Sequence, residues 1–244
     1  MTMIRLNPKK LIIVISVVSL VLGATYHFGP KVFLLYIINK NVSRSDTPNI
    51  YLTPKLRDIR PINLNHLKSG EIELNFISLK FPWKIKQKNI GETSNTFLFH
   101  EKKAVIISSI PKEDKIADEF LKGTPDEVKG LKKLIGEEHL HSDFDFIRLC
   151  LNTTPDDATL FTPKRLLGRI TTMLMLRAIY EPLGGNIFEF NLNNGLRGFQ
   201  FGEIGNKKMV TIHLFDDERQ IFQVDFMSAT QNEIDFVLSS IKVL

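Results

Sequence analysis

The sequence has almost no cysteine. Cys150 is the only one among 244 residues, which excludes an intramolecular disulfide and any metal site built from several cysteines. It lies in an apolar stretch, where a free cysteine usually packs as a small buried hydrophobe. The sequence also lacks a G-x-S-x-G nucleophile elbow, and its glycine-spaced segment 198–205 lacks the lysine and hydroxyl residue of a phosphate-binding loop. The sequence therefore contains no motif that identifies a catalysed reaction.

Excess positive charge is missing from most of the chain. The formal net charge is +5, from 32 Lys+Arg and 27 Asp+Glu. Residues 1–40 contain no acidic residue and five basic ones, which are Arg5, Lys9, Lys10, Lys31 and Lys40. Residues 41–244 therefore carry 27 charges of each sign. Nucleic-acid-binding domains usually present a net basic surface, so we predict no nucleic-acid partner.

One long apolar segment is present near the N-terminus. Residues 11–28 contain no Asp, Glu, Lys or Arg over 18 positions, which is just enough to cross a hydrocarbon core of about 30 Å. Tyr26 and Phe28 suit a membrane interface. A second apolar run, Val32–Ile38, follows the break at Gly29-Pro30. It is too short to span a bilayer, so we predict a helical extension at the interface.

The orientation of this anchor follows from its flanking charges. Three basic residues precede the span closely, and the two that follow it lie farther away. The positive-inside rule then places the N-terminus in the cytoplasm and residues 41–244 outside it. A cleavable signal peptide is the alternative, because Val21 and Gly23 could form a small-residue processing site. The second apolar run favours a retained single-pass anchor, with membrane lipid as the partner of residues 11–28.

The remainder of the chain predicts one α+β domain. We expect residues 1–40 to be the anchor with its extension and 71–244 to be globular. Residues 41–70, with Pro48, Pro54 and Pro61, are predicted to form a stiffened linker or an extended arm.

Apolar alternation predicts the strands of this domain. Ile77, Leu79, Phe81, Trp83 and Ile85 alternate with polar residues and Pro82, as in an edge strand or one broken at the proline. Residues 96–100 and 104–108 predict a hairpin. Segments 187–192, 196–201, 209–215 and 220–226 predict a meander, with an Asn194-Gly195 turn.

Hydroxyl residues mark the predicted helix starts. Thr124-Pro125 precedes a helix closed by Gly136, Ser142 opens a helix to about Asn152, and a third helix runs over 163–180. A capping box, Thr230-Gln231-Asn232-Glu233, begins a C-terminal helix whose apolar face would cover the sheet. The fold class is thus an antiparallel sheet with a covering C-terminal helix and a helical middle segment, after a transmembrane helix.

The strand with Phe81-Pro82-Trp83, the hairpin, the meander and the terminal helix ending Ser239-Ser240-Ile241-Lys242-Val243 together resemble the PsbP-like α/β/α sandwich. The resemblance covers about 71–110 and 186–244, and the helical stretch 111–185 has no counterpart in it. It implies a non-enzymatic binding or assembly role. No functional residue is carried over from it.

Two clusters are candidate sites. His139, His141 and Asp143 have residue types that hold zinc, and their H-x-H-x-D spacing is that of metallo-β-lactamase-like hydrolases, although Phe144 replaces the next histidine. The alternative is that Ser142 and Asp143 simply cap a helix, and we predict neither a metal nor another cofactor.

Lys80, Lys84, Lys86 and Lys88 form a predicted ridge along one strand that could contact anionic lipid or an acidic protein partner. Edge lysines also deter aggregation between sheets. The sequence therefore predicts a membrane-anchored, extracytoplasmic binding or assembly module, more plausibly without enzymatic activity. A tethered hydrolase with an unrecognised site is the alternative.

Overall fold

The structure is a computed structural model that describes residues 26, 28–40, 50–60, 70–74, 77–111, 115–180 and 185–244. Nearly all of the predicted membrane span 11–28 lies outside these residues. Within the described ranges, no helix combines the length and apolar character needed to cross a membrane. The predicted α+β class is confirmed by a large sheet with helices on both of its faces.

The helices and strands are numbered along the chain. The helices are α1 (28–40), α2 (Ile116–Phe120), α3 (Pro125–Ile135), α4 (Asp143–Asn152), α5 (Lys164–Tyr180) and α6 (Gln231–Ser240). The strands are β1 (Lys55–Leu56), β2 (Gly70–Leu74), β3 (Ile77–Phe81), β4 (Ile85–Ile90), β5 (Ser94–Phe99), β6 (Ala104–Ser109), β7 (Phe188–Asn191), β8 (Arg197–Gly202), β9 (Met209–Phe215), β10 (Gln220–Met227) and β11 (Lys242–Val243).

The strands form two sheets. An eight-stranded sheet has the order β1-β7-β8-β9-β10-β6-β5-β4, and a three-stranded sheet has the order β11-β3-β2. Neighbouring strands are antiparallel, except that β1 pairs with β7 in parallel. The predicted meander is β7 to β10, and the predicted hairpin is β5 and β6. Their bounds agree with the alternation to within one or two residues.

The main core lies between the large sheet and a layer made of α6 and the small sheet. Val210, Ile212 and Leu214 of β9 point to this side, as do Phe222, Val224 and Phe226 of β10. From α6, three apolar side chains enter the same cluster, namely Ile234, Val237 and Leu238. The predicted covering role of the C-terminal helix is therefore confirmed.

Helices α2 to α5 form the predicted helical middle segment, and α4 packs on the opposite face of the large sheet. Phe144, Ile147 and Leu151 of α4 contact three sheet phenylalanines, Phe199, Phe201 and Phe215. The rings of Phe144 and Phe199 stack with centroids 4.8 Å apart. Cys150 is buried beside Met173 of α5, as its apolar surroundings predict.

Residues 50–60, inside the predicted linker or arm, are packed on the domain. Strand β1 adds to the edge of the large sheet, and Arg57 Nη2 lies 2.5 Å from Asp235 Oδ1 on α6. The fully buried Arg177 of α5 donates to the carbonyl oxygens of Leu52, of Leu151 at 2.8 Å and of Thr153 at 3.1 Å. Long-range contacts thus hold this segment against both the sheet and the helical layer.

Helix α1 also packs on the domain. Its Ile38 shares a buried cluster with Ile50 and with Ile170 and Leu174 of α5. The other side of α1 is apolar but exposed, because Val32, Phe33 and Tyr36 retain 53%, 61% and 57% of their accessible surface.

The predicted helix starts are largely confirmed. Thr124 and Thr230 form capping boxes at the starts of α3 and α6, and the hydroxyl of Ser142 accepts from Asp145 N at the start of α4. Thr154-Pro155 has the same sequence pattern as Thr124-Pro125, but it begins a 3-10 turn over Pro155–Asp157 and not an α-helix.

The break predicted at Pro82 is confirmed, because this segment forms two strands, β3 and β4, in different sheets. Two local expectations are wrong. The terminal helix stops at Ser240, and Lys242–Val243 form β11, which pairs with β3. The turn between β7 and β8 has one residue more than a two-residue Asn-Gly turn, and only Gly195 in it has a positive φ, of 88°.

Candidate functional site

The candidate site is the part of the large sheet that continues beyond the α4 contact. On the α4 side, apolar side chains of β8 and β9 are buried under the helix. Farther along the sheet, the side chains on this side become polar and increasingly exposed: those of β10 are half-buried, and Ser94 of β5 is exposed. We call the part of this side formed by β9, β10, β6 and β5 the polar face.

Strand register brings polar residues into a row across this face. His213 of β9 pairs with Gln223 of β10, which pairs with Ser108 of β6, which pairs with Ser94 of β5. Side chains of directly paired residues lie on the same side of a sheet, with Cβ atoms about 5 Å apart. The hydroxyls of Ser108 and Ser94 are 3.4 Å apart. Four hydrogen-bonding side chains thus cross four adjacent strands.

A second row runs beside the first. Thr211 pairs with Asp225, Asp225 with Ile106, and Ile106 with Thr96. The hydroxyl of Thr211 donates to Asp225 Oδ1 at 2.6 Å. Gln223 Nε2 lies 3.2 Å and 3.0 Å from the two carboxylate oxygens of Asp225. These bonds join the two rows and hold the Asp225 carboxylate in place on β10.

His213 is the most unusual group of the polar face. Its side chain is nearly buried against the ring of Phe201, with centroids 5.1 Å apart, and 7% of the residue's surface remains exposed. Burial lowers its pKa to about 4, so the imidazole is neutral near pH 7. Within the described part of the chain, its Nδ1 has no hydrogen-bond partner. A buried nitrogen without a hydrogen-bond partner lowers the free energy of unfolding. At this end of the polar face, His213 Nδ1 is therefore a hydrogen-bonding group that no described residue satisfies.

The sequence contains a signal for this face. On β9 and β10 the apolar residues that predict the core alternate with Thr211, His213, Gln223 and Asp225. The core prediction rests on the apolar half of this alternation alone. Because the strands pair in register, the polar half must also line up across the sheet.

The candidate metal-ligand residues His139, His141 and Asp143 take different positions. Asp143 is fully buried, and its two carboxylate oxygens accept from Ala117 N at 3.1 Å and Gln220 N at 3.0 Å. His141 is exposed, and His139 Nε2 lies 3.7 Å from a carboxylate oxygen of Glu138. Across the residues that the structure describes, no group of three His, Cys, Asp or Glu is arranged to hold a metal ion. Asp143 instead joins α2, α4 and β10.

The predicted lysine ridge is divided between two sheets. Lys80 lies on β3 of the small sheet, where Nζ is 3.7 Å from Glu71 Oε2. Lys86 and Lys88 lie on β4, the edge strand of the large sheet, and Lys84 immediately precedes it. All three are exposed. The edge position predicted from Pro82 is confirmed for β4, and contact of these lysines with lipid or a partner stays a prediction.

Similarity to known proteins adds no assignment. No protein-family model matches the chain, and no curated protein matches it at a significant level.

Proposed function

We propose that this protein is a single-pass, membrane-anchored, extracytoplasmic binding or assembly module whose ligand contacts the polar face. The observation that supports this most is the pair of polar rows across β9, β10, β6 and β5. A sheet side that only had to stay soluble would need no hydrogen-bonded arrangement of this kind, since scattered charged side chains would suffice.

The chemistry of the face favours a hydrogen-bonding ligand without strong charge. The two rows offer mainly hydroxyl and amide groups, and Asp225 is already engaged by Thr211 and Gln223. Thr211 and His213 of β9 are buried, so the accessible strip lies on β10, β6 and β5. Three strands at a spacing of about 4.8 Å make this strip about 10 Å across. Such a strip suits a partner protein surface or an extended chain better than a small molecule, which usually binds in a concave pocket.

The anchor is proposed from residues 11–28 and from α1. The exposed apolar side of α1 supports the expected interfacial extension, because such a side is rare on a helix that faces only water. The PsbP-like resemblance, with its binding or assembly role, agrees with this proposal. The hydrolase alternative gains no support: among the described hydrogen bonds, none links His213 to a hydroxyl or a carboxylate.

Topology and binding can be tested separately. A reporter that works only in the cytoplasm, fused after Leu244, should be silent, and activity would contradict the extracytoplasmic orientation. For binding, a photo-crosslinking amino acid is placed at Ser94 in the full membrane-inserted chain, with Asn193 as the matched exposed control. We expect a discrete adduct from position 94 only. No adduct, or the same adducts from both positions, would refute the polar face as the binding surface.

A further inference from the structure

The loop between the 3-10 turn and α5 carries an unusual tip. Phe161 retains 89% of its accessible surface and Leu160 retains 45%. Among the large apolar side chains of the described residues, none is more exposed than Phe161. The neighbouring residues hold the loop in a fixed shape, because Thr162 Oγ1 accepts from Thr159 N at 2.9 Å and Thr162 N donates to Thr159 O at 3.1 Å. The exposed ring is therefore presented by an ordered turn.

The loop lies next to the end of the predicted span. Lys31 Nζ donates to the carbonyl oxygen of Leu160 at 3.3 Å. Lys31 is one helical turn beyond Phe28, the last residue of the uncharged segment 11–28. Farther along, Ile38 lies in the same buried cluster as Ile170 and Leu174, so α1 and α5 run in the same direction. The loop and the start of α1 thus occupy the same end of the helical layer.

Basic residues lie at this end, together with the exposed Glu137 and Glu138. Lys164 and Arg165 follow the loop directly, and both are exposed. Arg165 donates to the carbonyl oxygen of Lys133, which brings the end of α3 beside them. Lys132 and Lys133 of α3 are exposed as well. An exposed aromatic tip next to several cations is the pattern of a surface that enters an anionic interface.

We propose that Leu160 and Phe161 insert into the bilayer beside the point where the anchor leaves it, while Lys132 and Lys164 contact anionic headgroups. The loop is then a second membrane contact that fixes how the domain is oriented on the membrane. This inference rests on the proposed anchor, because the same chain segment brings the loop to the lipid. It assigns membrane contact to this end of the helical layer and not to the lysines of β4.

The test uses the full chain in proteoliposomes of phosphatidylcholine with phosphatidylglycerol. Phe161→Cys is labelled with an environment-sensitive fluorophore, and Asn193→Cys on the α6 side of the domain is the matched control. The native thiol should contribute little signal, because Cys150 is buried and burial raises its pKa to about 12. We expect a blue-shifted emission, quenched by spin-labelled lipid, at position 161 only. A water-like emission at position 161 would overturn the proposal.

Two further measurements separate lipid charge from anchoring. Lys132→Glu with Lys164→Glu should lower the equilibrium constant for insertion, taken as the ratio of quenched to unquenched label, by about fivefold per lysine in anionic vesicles and should have no effect in pure phosphatidylcholine. An unchanged quenched fraction in both would remove the headgroup contact. Alkaline carbonate extraction of the same samples tests the anchor itself. A chain that stays in the membrane while position 161 remains in water refutes only the loop insertion, whereas an extracted chain refutes the anchored function.

Discussion

The neutral, buried His213 should make the stability of the domain depend on pH. Its folded-state pKa is about 4 against an ordinary value of 6.5, and burial is the cause. Between these values the unfolded chain binds a proton that the folded protein does not. The titration of His213 therefore does not affect the free energy of unfolding above about pH 6.5, and that free energy decreases progressively as the pH falls from 6.5 toward 4. Applied to pH 7 and pH 5, the two pKa values give a loss of about 2 kcal/mol in the free energy of unfolding.

The measurement is urea unfolding of the full chain in detergent, followed by the fluorescence of Trp83. Trp83 is the only tryptophan and is 2% exposed in the main core, so its emission reports loss of the sheet. Carboxylates also titrate in this range, so the informative quantity is the difference between the wild type and His213→Gln. We expect that difference to change by about 2 kcal/mol between pH 7 and pH 5.

The exposed His141 provides the control. His141→Gln removes an exposed histidine and is measured at the same two pH values. If His213→Gln follows the wild-type curve, then His213 is solvated or paired in solution, and the reasoning about its buried nitrogen fails.

Other substitutions test the remaining contacts by the same unfolding measurement. Arg177→Leu should lower stability by about 3–5 kcal/mol, because three carbonyl acceptors lose their donor; a cost below about 1 kcal/mol would show that water replaces it. Thr230→Ala should cost about 1 kcal/mol through loss of the α6 capping box, and no change would mean that packing alone holds this helix end. Gly202→Ala should cost clearly more than Gly195→Ala. Both have positive φ, but only at Gly202 would a Cβ meet the backbone of Met209, and equal costs would contradict this difference.

Local sequence patterns predicted most of the sheet and the helix starts. Strands β9 and β10 were found because every second residue enters the same core, as Val210 and Ile212 do. The capping box at Thr230 was found because its residues lie within one turn. The polar face could have been predicted from the same alternation, with the added step of pairing the two strands in register.

The features that sequence reasoning missed depend on residues far apart in the chain. Strand β1 is two residues long, and its parallel pairing with β7 joins positions more than 130 residues apart. Strand β11 needs β3 as its partner. Arg177 looks like an ordinary exposed residue of a helix until Leu52 and the end of α4 are placed around it. No local periodicity encodes such contacts.

The attachment of α1 and of residues 50–60 to the same helix, α5, has a mechanical consequence. With the proposed anchor in place, the domain would be held rigidly at the membrane and would not move on a flexible linker. The packing of Ile38 and Arg177 against their neighbours would then set the distance of the polar face from the membrane and its orientation. A binding partner would have to present its surface at that fixed distance from the membrane, as another protein of the same membrane does. Inserting residues between α1 and residue 50 should therefore leave partner binding unchanged. Arg177→Leu removes the hydrogen bond to the carbonyl oxygen of Leu52 and should weaken partner binding.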